Sequence, residues 1–258
     1  MLFAPVLQDV AARMAGDGAK AGADPVQQAY RLRDAVELVR PDWVLSHHDP
    51  EAEAAAVRSA GADVELVDVS LAGFAPVSGL VQVVEILAKL YPDTVIAASL
   101  TGPAGLAAAL DTDGEVDLLD CGDVLAELVS AYVGAGARRI VVWEPEVPGE
   151  IAAEATSAHL AIVRRLEMLG IPGVLCGASA VDSAGYTAHA LSGGGREAML
   201  VPATTFARGS VECFGELWQR WAALGAERAG LVLTDGPVPA DCDMGLLSSV
   251  GARPGSGR

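Results

Sequence analysis

Two adjacent histidines and an aspartate form the densest group of reactive side chains in this 258-residue chain. His47, His48 and Asp49 follow the apolar run Val44–Ser46 and include two of the four histidines. An imidazole titrates near neutral pH, and a carboxylate beside it stabilises its charged form, so this group suits general acid–base chemistry. Neighbouring strand residues point to opposite faces, so we expect only one of the two histidines to face a site.

Other reactive side chains also come directly after apolar runs. In chain order they are Asp68, Ser99, Thr101, Glu144, Cys176, Ser179, Thr204, Thr205 and Asp235. We predict that Glu144 and Asp235 join His47, His48 and Asp49 as catalytic groups. Substrate contacts are assigned to Ser99, Thr101, Cys176 and Thr204. The alternatives are structural, since an aspartate before Gly236 can cap a helix or form a turn and a buried thiol is inert.

Eight runs have the apolar, β-branched or leucine-rich character of strands covered on both faces. They are Leu2–Val6, Val44–Ser46, Val64–Val67, Thr94–Ser99, Ile140–Trp143, Gly173–Cys176, Met199–Val201 and Gly230–Thr234. Helical patterns separate them, and one helix face carries Cys121, Val124, Leu125, Leu128 and Tyr132. Glycines 61, 136, 170 and 225 occupy positions typical of helix ends.

This alternation favours an α/β fold, a single (β/α)8 TIM barrel with parallel strands. An open doubly wound sheet is the alternative, although no G-x-G-x-x-G segment follows a strand. Because barrels of this type carry their catalytic residues at the carboxyl ends of the strands, the reactive side chains should converge there. Residues 1–250 form the barrel domain, and Gly251–Arg258, GARPGSGR, is expected to be a disordered tail. Gly193–Arg196 is interpreted as a flexible turn.

The composition limits the classes of partner. A net charge of −17 repels phosphate backbones and anionic lipids, so we expect neither nucleic-acid nor membrane binding. The amino terminus carries Asp9 and Arg13 and lacks the basic start of a signal peptide, which indicates a cytoplasmic protein. The four cysteines show no C-x-x-C spacing and are expected to be reduced thiols.

Several segments resemble the uroporphyrinogen decarboxylase family, including its corrinoid-linked methyltransferase branch, and cobalamin-independent methionine synthase. They are Asp42–Asp49 (DWVLSHHD), Thr94–Leu110 (TVIAASLTGPAGLAAAL), Ala131–Pro145 (AYVGAGARRIVVWEP) and Gly230–Leu247 (GLVLTDGPVPADCDMGLL). The resemblance implies a (β/α)8 barrel, a homodimer, and an acidic active-site residue at the end of the strand that precedes Asp49.

The chain also departs from this family at residues that carry its chemistry. No arginine-rich segment precedes Tyr30, so the clamp for a polyanionic porphyrinogen is missing. Where the methyltransferase branch has an H-x-C pair for zinc, this chain has Val174-Leu175-Cys176, and Gly236 replaces the later cysteine. We therefore predict no metal, with Cys176 the only remnant of a zinc site.

Three functions remain open from the sequence. The first is a cofactor-free decarboxylase, a carbon–carbon lyase that uses acid–base chemistry on a small or tetrapyrrole-like carboxylated substrate, as in porphyrin biosynthesis. The second is a methyltransferase with an altered zinc site and a corrinoid protein as partner. The third is a non-catalytic barrel that binds a ligand or a partner protein.

Overall fold

Eight parallel strands form one sheet that curls into a nearly closed barrel. A computed structural model describes residues 1–16, 24–61, 65–110, 116–208, 213–225 and 229–252. The strands are β1 Leu2–Val6, β2 Trp43–Leu45, β3 Val95–Thr101, β4 Arg139–Glu144, β5 Gly173–Gly177, β6 Ala188–Ser192, β7 Glu197–Val201 and β8 Ala229–Pro237. The sheet runs in the order β1-β8-β7-β6-β5-β4-β3-β2.

Helices cover the outside of this sheet. They are α1 Gln8–Met14, α2 Pro25–Val39, α3 Ala52–Ala60, α4 Val77–Leu90, α5 Pro103–Leu110, α6 Leu118–Gly134, α7 Ala152–Leu169, α8 Phe214–Gly225 and α9 Met244–Ser248. The predicted apolar face from Cys121 to Tyr132 is buried on α6. Parallel strands that alternate with helices around most of the barrel confirm the predicted (β/α)8 fold.

Two hydrogen bonds join β1 to the residue before β2 and draw the ends of the sheet together. The backbone nitrogen of Asp42 donates to the Phe3 carbonyl at 2.9 Å. In return the Phe3 nitrogen donates to the Asp42 carboxylate at 2.8 Å. Without this pairing, the first and last strands in the order would each present an unpaired edge.

The core has an inner and an outer layer because side chains alternate along each strand. Inside the barrel lie Ala4, Val6, Trp43, Leu45, Ala97, Val141, Val174, Cys176, Ala188, Ala190, Ala198, Leu200, Leu231 and Leu233. The outer layer joins the strands to the helices, and its largest aromatic group surrounds Phe3, whose ring contacts Phe206, Phe214, Trp218 and Trp221 at centroid distances of 5.5–6.1 Å.

One predicted strand is wrong and one strand was missed. In the run Val64–Val67, residues 66 and 67 begin a 3-10 helix, Leu66–Asp68, and residue 64 lies outside the described residues. Since β2 pairs directly with β3, no place remains between them for another strand. Asp68 therefore does not follow a barrel strand. The missed strand is β6, whose sequence AHALS has little β-propensity and which pairs with β5 and β7 on its two sides.

The glycines after β6 return the chain so that β7 can run parallel to β6. Gly193 and Gly194 have φ angles of 76° and 136°, which favour glycine. A Cβ atom on Gly195 would collide with the His189 carbonyl oxygen. The predicted turn at Gly193–Arg196 is thus a close-packed connection, and the described residues 178–196 contain no helix between β5 and β7.

The first two residues of the predicted disordered tail, Gly251–Arg258, are ordered. Gly251 and Ala252 still belong to a short 3-10 helix, Ser249–Ala252, and residues 253–258 lie outside the described residues. Within the described ranges, no helix combines the length and apolar character needed to cross a bilayer.

Replacing Phe3 tests the outer core. Phe3 is fully buried, so Phe3→Ala should lower the free energy of unfolding by about 3–5 kcal/mol through lost burial and a cavity. Urea denaturation measures this difference. The neighbouring Leu2→Ala is the matched control, because Leu2 is 41% exposed and should change stability by less than about 1 kcal/mol. Equal losses in the two variants would contradict the assigned strand orientation.

Candidate active site

A cavity of about 450 Å³ opens at the carboxyl end of the barrel. Its wall contains side chains from the ends of β3, β4, β5, β7 and β8, namely Thr101, Trp143, Cys176, Leu200 and Asp235. Pro50, Glu51 and part of α5 complete the rim. A smaller cavity of about 10 Å³ lies beside it and is lined by His47, His48, Asp49, Pro50, Ser99, Leu100, Thr101 and Trp143. Most of the sequence-predicted residues therefore meet at one end of the barrel.

His47 and His48 point to opposite sides of the barrel wall, as adjacent residues of an extended chain are expected to do, although β2 itself ends at Leu45. The His47 ring lies outside, 2.7 Å from the Ser46 hydroxyl through Nδ1 and 3.3 Å from the Tyr132 hydroxyl of α6 through Nε2. Its complete burial lowers the pKa of His47 to about 3, so this imidazole is neutral at physiological pH. His47 thus lies behind the wall of the large cavity, although it borders the small one.

His48 is the histidine that faces the mouth. Its ring packs edge-on against Trp143 with a centroid distance of 4.6 Å. The Gln8 side chain fixes its backbone, since the Gln8 carbonyl accepts from the His48 nitrogen at 2.7 Å and the Gln8 amide donates to the His48 carbonyl at 2.9 Å. These contacts hold the imidazole at the end of β2.

Burial lowers the pKa of His48 below its usual value, and the carboxylates of Asp49, Asp235 and Asp9 oppose that shift. Most of the imidazole is therefore neutral at pH 7, while the nearby acids can stabilise a proton that it receives. Burial also raises the pKa of Asp9, and His48 opposes that shift. A half-buried imidazole with carboxylates nearby can exchange protons with a bound molecule.

Asp49 and Asp235 are exposed at the rim, and each is oriented by the backbone. Asp49 accepts a hydrogen bond from the Glu51 nitrogen at 3.1 Å. Asp235 accepts one from the Ala203 nitrogen at 2.8 Å through Oδ1, which leaves Oδ2 for other contacts. Each carboxylate therefore holds a backbone segment in place and is exposed at the mouth. For Asp235, this combines the structural role and the functional role that the sequence left open.

Glu144 has a different environment from the one the sequence suggested. Its side chain points away from the barrel interior and accepts hydrogen bonds from the Gly105 nitrogen at 3.0 Å and the Ala104 nitrogen at 3.4 Å, in the first turn of α5. Its Oε2 atom also lies 2.7 Å from Nε2 of His159, and Nδ1 of that histidine lies 2.7 Å from the Tyr186 hydroxyl. This buried carboxylate joins the end of β4 to α5 and α7.

The remaining predicted residues have smaller roles in the geometry. Ser99 accepts a hydrogen bond from Trp143 Nε1 at 3.2 Å and so orients the indole. The Thr101 hydroxyl donates to the Pro50 carbonyl at 3.2 Å. Thr204 is exposed on the 3-10 helix Ala203–Phe206 and lines neither of the two cavities.

Cys176 is the residue around which a zinc site was considered, so its surroundings show whether the residues present fit that metal. Its thiol is buried among apolar side chains, and burial raises its pKa, which disfavours the thiolate that zinc binds. Within the described part of the chain, no three His, Cys, Asp or Glu side chains form a group that could hold a metal ion. The residues present do not fit a zinc site centred on Cys176.

Glu53 is a buried acid that the sequence did not single out. It lies on α3, and its Oε1 accepts a hydrogen bond from the Thr101 nitrogen at 3.3 Å, whereas Oε2 has no partner. Complete burial raises the pKa of Glu53 to about 7. The surrounding sequence, EAEAAA, resembles the first turn of any exposed helix, so nothing in it distinguished Glu53 from Glu51.

No protein-family model and no curated protein matches the chain. Among solved structures, the homocysteine methyltransferase MmuM from Escherichia coli is similar in its metallated form, with a TM-score of 0.55, 10% identity, and coverage of 98% of this chain and 96% of that chain. The oxidized form of the same enzyme has a TM-score of 0.57 and 11% identity, with coverage of 98% of this chain and 95% of that chain. A 2,3-dimethylmalate lyase has a TM-score of 0.45 and 13% identity, over 91% of this chain and 75% of that chain. At these identities, the MmuM similarity supports the barrel fold alone.

The buried carboxyl of Glu53 predicts an unusual dependence of stability on pH. Because its pKa rises from 4.5 in the unfolded chain to about 7 in the folded one, its contribution is complete below pH 4.5 and is lost as pH rises through 7. The loss should reach roughly 3 kcal/mol at high pH. Glu53→Gln should therefore unfold at higher urea concentration than the parent protein at pH 8, with little difference at pH 4.

The control for this measurement is Glu51→Gln, which changes an exposed acid two residues away. His47 has a lowered pKa and destabilises the fold as pH falls, so each variant is compared with the parent protein at the same pH. If the difference between Glu53→Gln and the parent protein did not change with pH, the assignment of a raised pKa would be wrong.

Proposed function

We propose that this protein is an enzyme that carries out acid–base chemistry on a small substrate in the mouth of the barrel. The main candidate is a carbon–carbon lyase, a decarboxylase similar to the uroporphyrinogen decarboxylase family. The observation that supports it best is His48, an imidazole that packs against Trp143, has three carboxylates near enough to affect its pKa, and lines the small cavity beside the 450 Å³ one. Groups of this kind exchange protons with a reacting carbon or oxygen atom.

The size and charge of the cavity support a small substrate. A volume of about 450 Å³ is typical of sites for drug-sized molecules. The described lining contains no arginine or lysine that would neutralise the eight carboxylates of a porphyrinogen. Of the substrates that the sequence left open, the small one fits better than the tetrapyrrole.

In a decarboxylation, the bond between the substrate carbon and its carboxylate breaks and its electron pair stays on the carbon. Carbon dioxide leaves, and a proton from the imidazolium form of His48 is transferred to that carbon. A proton taken up from bulk solvent then regenerates the imidazolium, so each turnover consumes one proton. The acids Asp49 and Asp235 stabilise the imidazolium before the transfer.

Methyl transfer is the second candidate, and the barrel fold shared with a homocysteine methyltransferase is compatible with it. Here His48 takes a proton from the nucleophile that accepts the methyl group. This candidate includes zinc and a corrinoid protein as partner, but the environment of Cys176 does not fit zinc. A barrel that binds a ligand without turnover is the third possibility, and a homodimer in the cytoplasm remains the expected state for each.

The test follows proton transfer by His48 with small carboxylic acids labelled with ¹³C at the carboxyl group. We expect the parent protein to release labelled carbon dioxide, and His48→Ala to lower kcat by at least about 100-fold. Added imidazole should restore part of the activity, which a purely structural role would not allow. NMR titration should give a pKa for His48 below 6.5.

The pH profile separates the candidates. Decarboxylation with His48 as the acid gains rate as pH falls towards the pKa of His48, whereas methyl transfer with His48 as the base loses rate. One equivalent of zinc per chain in the purified protein would favour methyl transfer. Activity unchanged in His48→Ala would overturn the proposal, as would turnover that imidazole does not restore.

A further inference from the structure

The large cavity at the mouth has one sign of charge. Its described lining contains three carboxylates, those of Glu51, Glu144 and Asp235, and no lysine or arginine. The hydrogen bonds of Glu144 from α5 and His159 occupy its oxygens, so Glu51 and Asp235 are the carboxylates available to a ligand. At the exposed rim, Arg58 lies 3.8 Å from Glu51 and also donates to the Ala109 carbonyl.

The rest of the wall is apolar and includes the indole of Trp143. Leu200, Cys176, Pro145 and Ala108 surround the same space. An aromatic ring attracts a cation through its electron-rich face, and an apolar wall stabilises the carbon groups attached to that cation. Carboxylates beside an indole and an alkyl-sized apolar surface form the environment in which organic ammonium ions bind.

An inorganic cation fits this environment less well. Divalent metals need several oxygen or nitrogen ligands around one point. The described residues form no such group of three ligating side chains. A metal ion that lost its bound water at the apolar part of the wall would gain no ligands in exchange. An alkylammonium ion can replace the lost water with contacts between its carbon atoms and the wall.

From these observations, we propose that the cavity selects a substrate that carries an alkylammonium group, which lies between Asp235 and Trp143. The inference rests on the proposed function, because it assigns the substrate to the same mouth in which His48 acts. The net charge of −17 supports it, since a negative protein surface attracts cations and repels simple anions. The reacting part of the substrate would then lie towards His48, and the ammonium group towards the rim.

Three probes of similar size and different charge test this proposal: benzylammonium, benzyl alcohol and benzoate. Isothermal titration calorimetry at low salt should rank benzylammonium first, roughly tenfold tighter than benzyl alcohol, and benzoate last. Asp235→Asn keeps an oxygen that can accept from the Ala203 nitrogen. It should remove most of the preference for benzylammonium and leave the affinity for benzyl alcohol unchanged.

Two variants serve as controls. Asp93→Asn removes the same charge from an exposed position before β3, at the opposite end of the barrel, and should keep the preference for the cation. Ala108→Trp fills part of the cavity from an exposed position of α5 and should weaken all three probes.

The outcomes separate this inference from the proposed function. Equal affinity for the cation and the alcohol, tighter binding of benzoate, or a preference that Asp93→Asn removes as fully as Asp235→Asn would each overturn the ammonium site. The absence of binding by every probe would overturn it too. None of these results affects the imidazole rescue of His48→Ala, which tests proton transfer by itself.

Discussion

The buried carboxylate of Glu144 constrains the mouth of this barrel more than any other group. A carboxylate removed from water is stable only if its oxygens find donors, and Glu144 finds them in the first turn of α5 and in His159. Gly102 has no side chain because a Cβ atom there would collide with this carboxylate. Since Glu144 points outwards, strand alternation turns Trp143 inwards, where it packs against His48. The environment of His48 thus depends on Glu144, because Glu144 sets the orientation of Trp143.

Much of the architecture could be predicted because local signals agreed with the tertiary structure. The apolar runs at β1, β3, β4, β5 and β8, together with the helix face of α6, were sufficient to indicate a barrel. The division of His47 and His48 between the two sides of the wall was also expected from the geometry of an extended chain. The side that each histidine takes could not be predicted, because β2 ends at Leu45 and alternation continued from the inward Leu45 would have turned His47 inwards instead of His48.

Other features were invisible in the sequence because they depend on contacts distant along the chain. The strand β6 consists of residues with weak β-propensity, and its neighbours determine its conformation. Glu53 looks like an ordinary helix residue until α3 packs it against the end of β3. Glu144 can be buried because it forms a hydrogen bond with His159, fifteen residues later in the chain. The other ring nitrogen of His159 is held by the hydroxyl of Tyr186, in the β5–β6 connection. Sequence patterns record which residues are apolar, but they do not record which polar groups meet each other.

The short connection after β6 has a consequence for how the barrel assembles. Parallel strands are normally joined by a helical crossover, so their pairing must close a long loop. Here His189 pairs with Glu197, only eight positions further along the chain. The entropy lost in bringing these strands together is therefore small for a parallel pair, and contacts close in sequence form fastest. We therefore expect the pairing of β6 with β7 to form early and to offer a local parallel template on which β5 and β8 can add from either side.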